Sequence, residues 1–486
     1  MIYIEKRDVY KYPSKSDFFS PSVLYPEYLW GQDSISKIEN PIYDMVRQVF
    51  VGMKMDLEHY GTAEWNPLGE IIQLGDTVLL KPNMVMHQNH VKSFGTDCLI
   101  THPSIVRAVL DYVLIALKGT GKIIVGDAPL QTCDFETLVE EQGYNVIQQF
   151  YKQRNVEFTL ADFRLVKSKT VWGQVKTIYY DETNRGCHPV NLGAYSAHCE
   201  KNAVSKRYRV TKYDPAHMQS HHNEERHEYL ISNYILQADV IINLPKPKTH
   251  RKAGMTGALK NLIGINGNKD WLPHHTKGSV EEGGDEYYHK NCFKQIAGNI
   301  DEIMIKKSQK DKTLSVQCMR FLRKGSSFLS KVIAKDPFYE GSWYGNDTIW
   351  RTIVDLNRIL LYADKQGQIT EGKQQRRLLI LGDMVISGEG EGPLIPEEKP
   401  IGIIAGSKDP VIFDTVAATL MGFDFKKIPS IRNAYFIKCL KLTVCDFQFE
   451  IYSNKNEWNK IAIKDLQTMN PFRFKASKGW MNHIEL

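Results

Sequence analysis

Five short, largely apolar runs in this chain end the same way, on Gly or Pro beside a charged or amide side chain. They are Thr77 to Leu80 before Lys81-Pro82-Asn83, Lys122 to Val125 before Gly126-Asp127, and Ala238 to Leu244 before Pro245-Lys246. The other two are Arg377 to Leu381 before Gly382-Asp383, and Ile401 to Ala405 before Gly406-Ser407. Such runs, closed by turn formers, read as strands buried on both faces of a sheet. Between the first two, Ile105, Val109, Val113 and Leu117 recur at helical spacing and predict an amphipathic helix over Ser104 to Leu117. A strand, a helix and a second strand make a right-handed crossover unit. The expected fold is therefore α/β: a parallel or mostly parallel sheet with helices on both faces. Helices are also expected over IYDMVRQVFVGM and from Val411 to Met421.

In open parallel sheets ligands bind outside the carboxyl ends of the strands. Five polar ends suggest one crevice there. Turn chemistry alone accounts equally well for any single end, but less readily for all five.

The chain has 486 residues, more than one average domain. It divides into an N-terminal extension (1–70) packing on the core, an α/β core (71–425) and a C-terminal extension (426–486), both extensions irregular. A basic, helical insertion falls at about 303–350. Its lysines and arginines alternate with apolar residues, which suits either a helix packed on the core or contact with an anionic membrane surface. Lys plus Arg number 62 against 56 Asp plus Glu, a formal charge of +6, too dilute to imply a nucleic-acid partner.

The eight cysteines, at 98, 133, 187, 199, 292, 318, 439 and 445, include no CxxC. A ferredoxin-type cluster is therefore not expected, and scattered thiols suit a reducing compartment. With no secretory h-region and no apolar run of about 18 residues, the expectation is a cytoplasmic protein without a transmembrane segment. Its oligomeric state is left open.

The densest chemistry runs from Pro245 to His289. Lys246, Lys248 and His250 alternate along an extended segment, and three donors on one side suit an anion. Lys260 and Asn261 are expected to open a helix whose N–H groups also attract phosphate or carboxylate. Lys81 and Asn83 join them as candidate substrate-binding residues. Asp127 and Asp383 each follow an apolar run and a Gly, as paired carboxylates for acid–base work would; with His250 and His274 they are the candidate catalytic groups. Asp127, Asp383, His274, His275 and Asp285 have the residue types of a divalent metal site, though not a compact spacing. His217, His221, His222 and His227 lie in a very polar stretch and read as a solvated helix or loop. Ser387 to Pro393 reads as a flexible acidic loop. The chain has no Walker-type loop, HExxH, GxSxG or strand-to-helix GxGxxG.

Taken together, VLLKPN, THPSIVRAVLDY with KIIVGDAP, ADVIINLPKPKTH, GALKNLIGINGNKDWLPHH, and GDMVISGEGEGP with AGSKDPVIFDTVAATLMG resemble the domain of unknown function 362 family over about residues 75–425. The resemblance implies an α/β domain. The matching residues are Lys81, Asn83, Asp127, Lys246, Lys248, His250, Lys260, Asn261, Asp383, Gly392, Pro393, Asp409 and Asp414. Many relatives carry a ferredoxin-like module whose cysteines this chain lacks. The expectation that follows is an enzyme binding a polar anionic small molecule, such as a sugar phosphate, nucleotide sugar or carboxylate, with a divalent metal. The alternatives are a redox protein using dispersed cysteines (Cys98, Cys133, Cys187, Cys199) and a non-catalytic module at a membrane surface.

Overall fold

The computed structural model describes residues 1–171, 174–179, 186–211, 213, 215–308, 319 and 338–486. Most of the basic insertion lies outside them. Among the described residues no helix is long and apolar enough to cross a membrane.

The frame is an eleven-stranded mixed sheet. Five of its strands run parallel, in the order Arg377–Glu391, Val240–Leu244, Thr77–Pro82, Lys122–Asp127 and, at the edge, Thr159–Asp162. Period-two alternation splits their side chains between two cores. Leu79, Ile124 and Ile241 enter one; Val78, Leu80, Val125 and Ile242 enter the other. Helices cover both faces, Pro41–Gly52 and Pro103–Leu117 on one, Ile349–Tyr362 and Pro410–Leu420 on the other. The starts of these helices follow from local chemistry. Asn40 accepts from the Tyr43 N–H, and Asp409 accepts from the N–H groups of Val411 and Ile412, each with Pro in the first turn.

The terminal extensions are largely irregular, yet they lend strands to one side of the sheet. Ile2–Lys6 pairs antiparallel with Ile395–Ser407 and parallel with Glu450–Ser453.

Two expectations need correction. The run at Arg377 does not end at Gly382-Asp383; it continues for 15 residues to Glu391 and turns through Gly392-Pro393 into Ile395–Ser407, so that Asp383 is mid-strand opposite Ile404. Pairing along the whole hairpin satisfies the glycine-rich backbone, and the expected acidic loop is strand instead. Glu389 and Glu391 accept from the N–H groups of Lys475 and Lys478, which further anchors it. Ile401 to Ala405 likewise lies in an antiparallel strand. The chain therefore leaves Ser407 toward the amino ends of the parallel strands, away from the crevice. Asp409 serves as a helix cap.

The polar stretch at 217–227 also differs from expectation. His222 and His227 are buried and bridge to each other across a tight return of the chain, with His221 stacked on Trp271. Only His217 of the four is exposed.

Candidate functional site: a lysine-rich cavity at the strand ends

A cavity of about 930 Å³ opens beyond the carboxyl ends of the Thr77–Pro82 and Lys122–Asp127 strands. Its wall is built by the loops after those strands, the Lys248–His250 and Gly254–Thr256 hairpin, the segment from Lys260 to His274, and the Pro393-Leu394 turn. Lys248, Lys252, Lys260, Lys269 and Arg251 line it, against the carboxylates of Asp127 and Glu340.

Asp127 is already committed. Its Oδ1 accepts from Lys81 Nζ at 2.8 Å and the Ala128 N–H at 2.9 Å, and its Oδ2 from the Met84 N–H at 2.7 Å. Gly264 permits this approach, since a Cβ there would lie 1.8 Å from Asp127 Oδ1. Asp383 is held the same way elsewhere, by Lys246 Nζ at 2.9 Å, the His102 N–H at 2.9 Å and the Tyr12 hydroxyl. The two aspartates thus form two separate buried Lys–Asp pairs, and Lys81, Lys246 and Asp383 do not line the cavity.

The asparagines are also engaged. Asn83 and Asn261 line the cavity; Asn83 Nδ2 donates to Asn261 Oδ1 at 2.9 Å, and Asn261 Nδ2 to Asn243 Oδ1 behind them at 2.7 Å, tying three chain segments together. The short helix Ala258–Asn261 does present Lys260 to the cavity, but its first N–H groups are taken. Ala258 and Leu259 donate to the buried Asp414 carboxylate, so no anion is needed there.

Burial pulls the cavity lysines down from the usual amine range, Lys248 and Lys269 to about 7, Lys252 and Lys260 to about 8. Neighbouring cations add to the effect, Lys81 on Lys260 and Lys246 on Lys248. Lys248 donates to Asn83 Oδ1 at 3.0 Å and to the Leu99 carbonyl, Lys269 to the Ile263 carbonyl at 2.9 Å, and Lys252 to the Glu340 carbonyl. Lys260 lines the cavity without a hydrogen bond or ion pair to any described residue.

Four histidines line the wall, His87, His90, His250 and His274, and the last two adjoin the lysines. His250 Nδ1 accepts from the N–H groups of Lys252 and Ala253, both at 3.1 Å. That fixes the proton on Nε2, which becomes a donor. His274 is the reverse: Nδ1–H donates to the Leu272 carbonyl at 2.7 Å, leaving the Nε2 lone pair open. Burial keeps both neutral, His274 down to about 3 and His250 well below its usual range, with Lys260 adding to the latter.

The expected metal ligands are not brought together. Among the described residues no group of three or more His, Cys, Asp or Glu could hold a metal ion. His275 lines a separate cavity of about 60 Å³ with Arg209 and Glu286. Asp285 accepts from the Asp347 N–H at 3.0 Å and pairs with Lys201. With Asp127 and Asp383 bound to lysines, this donor set does not fit a cation. No disulfide joins the seven cysteines among the described residues, and burial raises the thiols of Cys98, Cys133 and Cys187 to between about 11 and about 12, away from thiolate ligation.

Lys252, Lys269 and Arg251 were missed by sequence reasoning. Their signal was present in the same basic run, since Arg251-Lys252 directly follows His250 and Lys269 lies nine residues beyond Lys260.

Residues 78–183 and 182–419 match the family described as Domain of unknown function (DUF362). The chain belongs to that family. The DUF362 match contains every lysine and histidine of the cavity wall named above, while Tyr12, which closes over Asp383, lies outside it. Among solved structures the chain is similar to a Thermotoga maritima protein determined by the Northeast Structural Genomics Consortium. The two are 11% identical with a TM-score of 0.32, over 74% of this chain and 54% of that one. The chain thus spans about half the length of that protein. No curated protein matches.

Proposed function

We propose that this DUF362 protein is a cytoplasmic enzyme that binds a polar anionic small molecule, a phosphate or carboxylate, in the cavity at the strand ends. The observation that carries this reading is a surplus of cations over carboxylates in the cavity lining among the described residues. Lys248, Lys252, Lys260 and Lys269 line one cavity whose aspartate is neutralised by Lys81. Buried charge without a partner costs several kcal/mol (about), and an incoming anion relieves that cost.

His250 supplies a fixed Nε2–H donor and His274 an open Nε2 acceptor, so one can hold an oxygen while the other moves a proton. Cysteines outside any disulfide among the described residues suit a reducing compartment. No metal enters this reading, because the candidate ligands are engaged with lysines and backbone donors.

The test is thermal stabilisation by inorganic phosphate, pyrophosphate and citrate. Stabilisation of the wild type that weakens in Lys260→Met and Lys252→Met supports an anion site. No stabilisation by any of the three at millimolar concentration would overturn it.

A further inference from the structure

We propose that Lys260 is an imine-forming residue whose amine attacks the carbonyl carbon of an oxo acid held in the cavity. The proposal rests on the reading of the cavity as an anion site and narrows its ligand to carboxylates or phosphates that also carry a ketone or aldehyde.

The geometry separates Lys260 from its neighbours. Lys248, Lys252 and Lys269 each spend their ammonium groups on backbone or amide oxygens, as residues fixed in place to hold charge do. Lys260 lines the same space with no such acceptor among the described residues. Its backbone is nonetheless rigid: the helix start is held by Asp414, and the adjoining Asn261 is locked between Asn83 and Asn243. A rigidly mounted amine with an open head is what a nucleophile needs, whereas a purely electrostatic contact needs no freedom from acceptors. Burial, and after it the neighbouring Lys81 cation, also favour the neutral amine, the form that attacks.

The chemistry closes. The Nζ lone pair forms the C–N bond as the carbonyl π pair moves to oxygen, where His250 Nε2–H and the cavity ammonium groups receive the negative charge. His274 Nε2 takes a proton from the new ammonium and returns it to that oxygen, giving the carbinolamine. A second proton, from a neighbouring lysine ammonium, lets the oxygen leave as water while the nitrogen lone pair forms C=N. One amine, one carbonyl and one proton yield one protonated imine and one water. No oxidant or reductant is consumed.

The experiment incubates the full chain with pyruvate, 2-oxoglutarate or dihydroxyacetone phosphate and sodium cyanoborohydride, then maps the reduced adduct by peptide mass spectrometry. At pH 7.5 (about) the neutral fraction of an amine titrating near 8 exceeds that of an ordinary lysine by about a hundredfold. Lys260 should therefore carry the adduct at least about tenfold faster than any exposed lysine. Lys260→Arg should abolish it while circular dichroism shows the fold retained. Should Lys260→Arg fail to fold, the wild-type adduct map decides alone. If citrate stabilises the protein but adducts are absent or spread evenly over surface lysines, the imine role is overturned and the anion site stands. If citrate and phosphate also fail, the anion reading falls with it.

Discussion

Lys81 and Asp127 meet at 2.8 Å with their side chains 0% and 4% exposed, on adjacent parallel strands, and of the two Asp127 lines the cavity. Removing one partner leaves the other charge buried. Asp127→Ala should therefore cost about 3–5 kcal/mol in urea denaturation. The double change Lys81→Met with Asp127→Leu should recover a large part of that loss. An Asp127→Ala variant as stable as wild type would show that the pair does not hold the strand ends together.

Lys248 and Lys260 should respond differently to the same substitution. Lys248→Met strips a donor from Asn83 Oδ1 and the Leu99 carbonyl, and each buried acceptor left unsatisfied costs about 1–3 kcal/mol. Lys260→Met removes no hydrogen bond to a described residue, so stability should hold or rise while the Kd for phosphate or citrate weakens about tenfold or more, the worth of a charge-assisted contact. Calorimetry on both variants separates these outcomes. Equal losses of stability would contradict the assignment.

Anion binding should weaken as pH rises. Lys252 and Lys260 titrate near about 8, and Lys248 and Lys269 near about 7, so protonated amines are lost between pH 7 and 9 (about), while free lysine keeps its charge to about 10. The ligand-free protein should show the opposite trend. Folded-state values below the unfolded ones mean that the unfolded chain binds more protons over this range, and stability then rises with pH. Denaturation with and without citrate from pH 6.5 to 9 (about) checks both slopes. A ligand-free stability that falls across this range would contradict the depressed lysines.

Much of this was legible in the sequence, and the failures have physical causes. The strands at Thr77, Lys122 and Val240 were legible because burial on both faces demands unbroken apolar runs. The hairpin from Arg377 to Ser407 was not, since its glycines and glutamates describe a turn unless the distant pairing partner is known. Lys248, His250, Lys260 and His274 were found from their density near a strand end, and all line the cavity. Lys81, Lys246 and Asp383 have the same residue types but were consumed as ion pairs. Composition cannot show which lysine meets which aspartate. The open amine of Lys260 is a property of what surrounds it in three dimensions.

Acid should destabilise this protein through its buried histidines. His222 Nε2–H donates to the Trp271 carbonyl at 2.7 Å and His227 Nε2–H to Asn202 Oδ1 at 2.8 Å, while the two Nδ1 atoms face each other at 3.3 Å. Burial lowers His222 to about 3 and His227 to about 4. The unfolded chain takes up protons near pH 6.5 (about) where the folded one does not. Stability is therefore fully present above the unfolded value and is lost as pH falls toward the folded one, by up to about 1.4 kcal/mol per pH unit for each histidine. Urea titrations at pH 5, 6 and 7 (about) should show this slope, and His227→Gln should be less stable than wild type at neutral pH yet shallower in its decline. A slope unchanged by the substitution would mean that His227 is not held neutral. His198, buried beside both rings at 5.6–5.7 Å, belongs to the same sum, because a charge on any one of the three opposes protonation of the others.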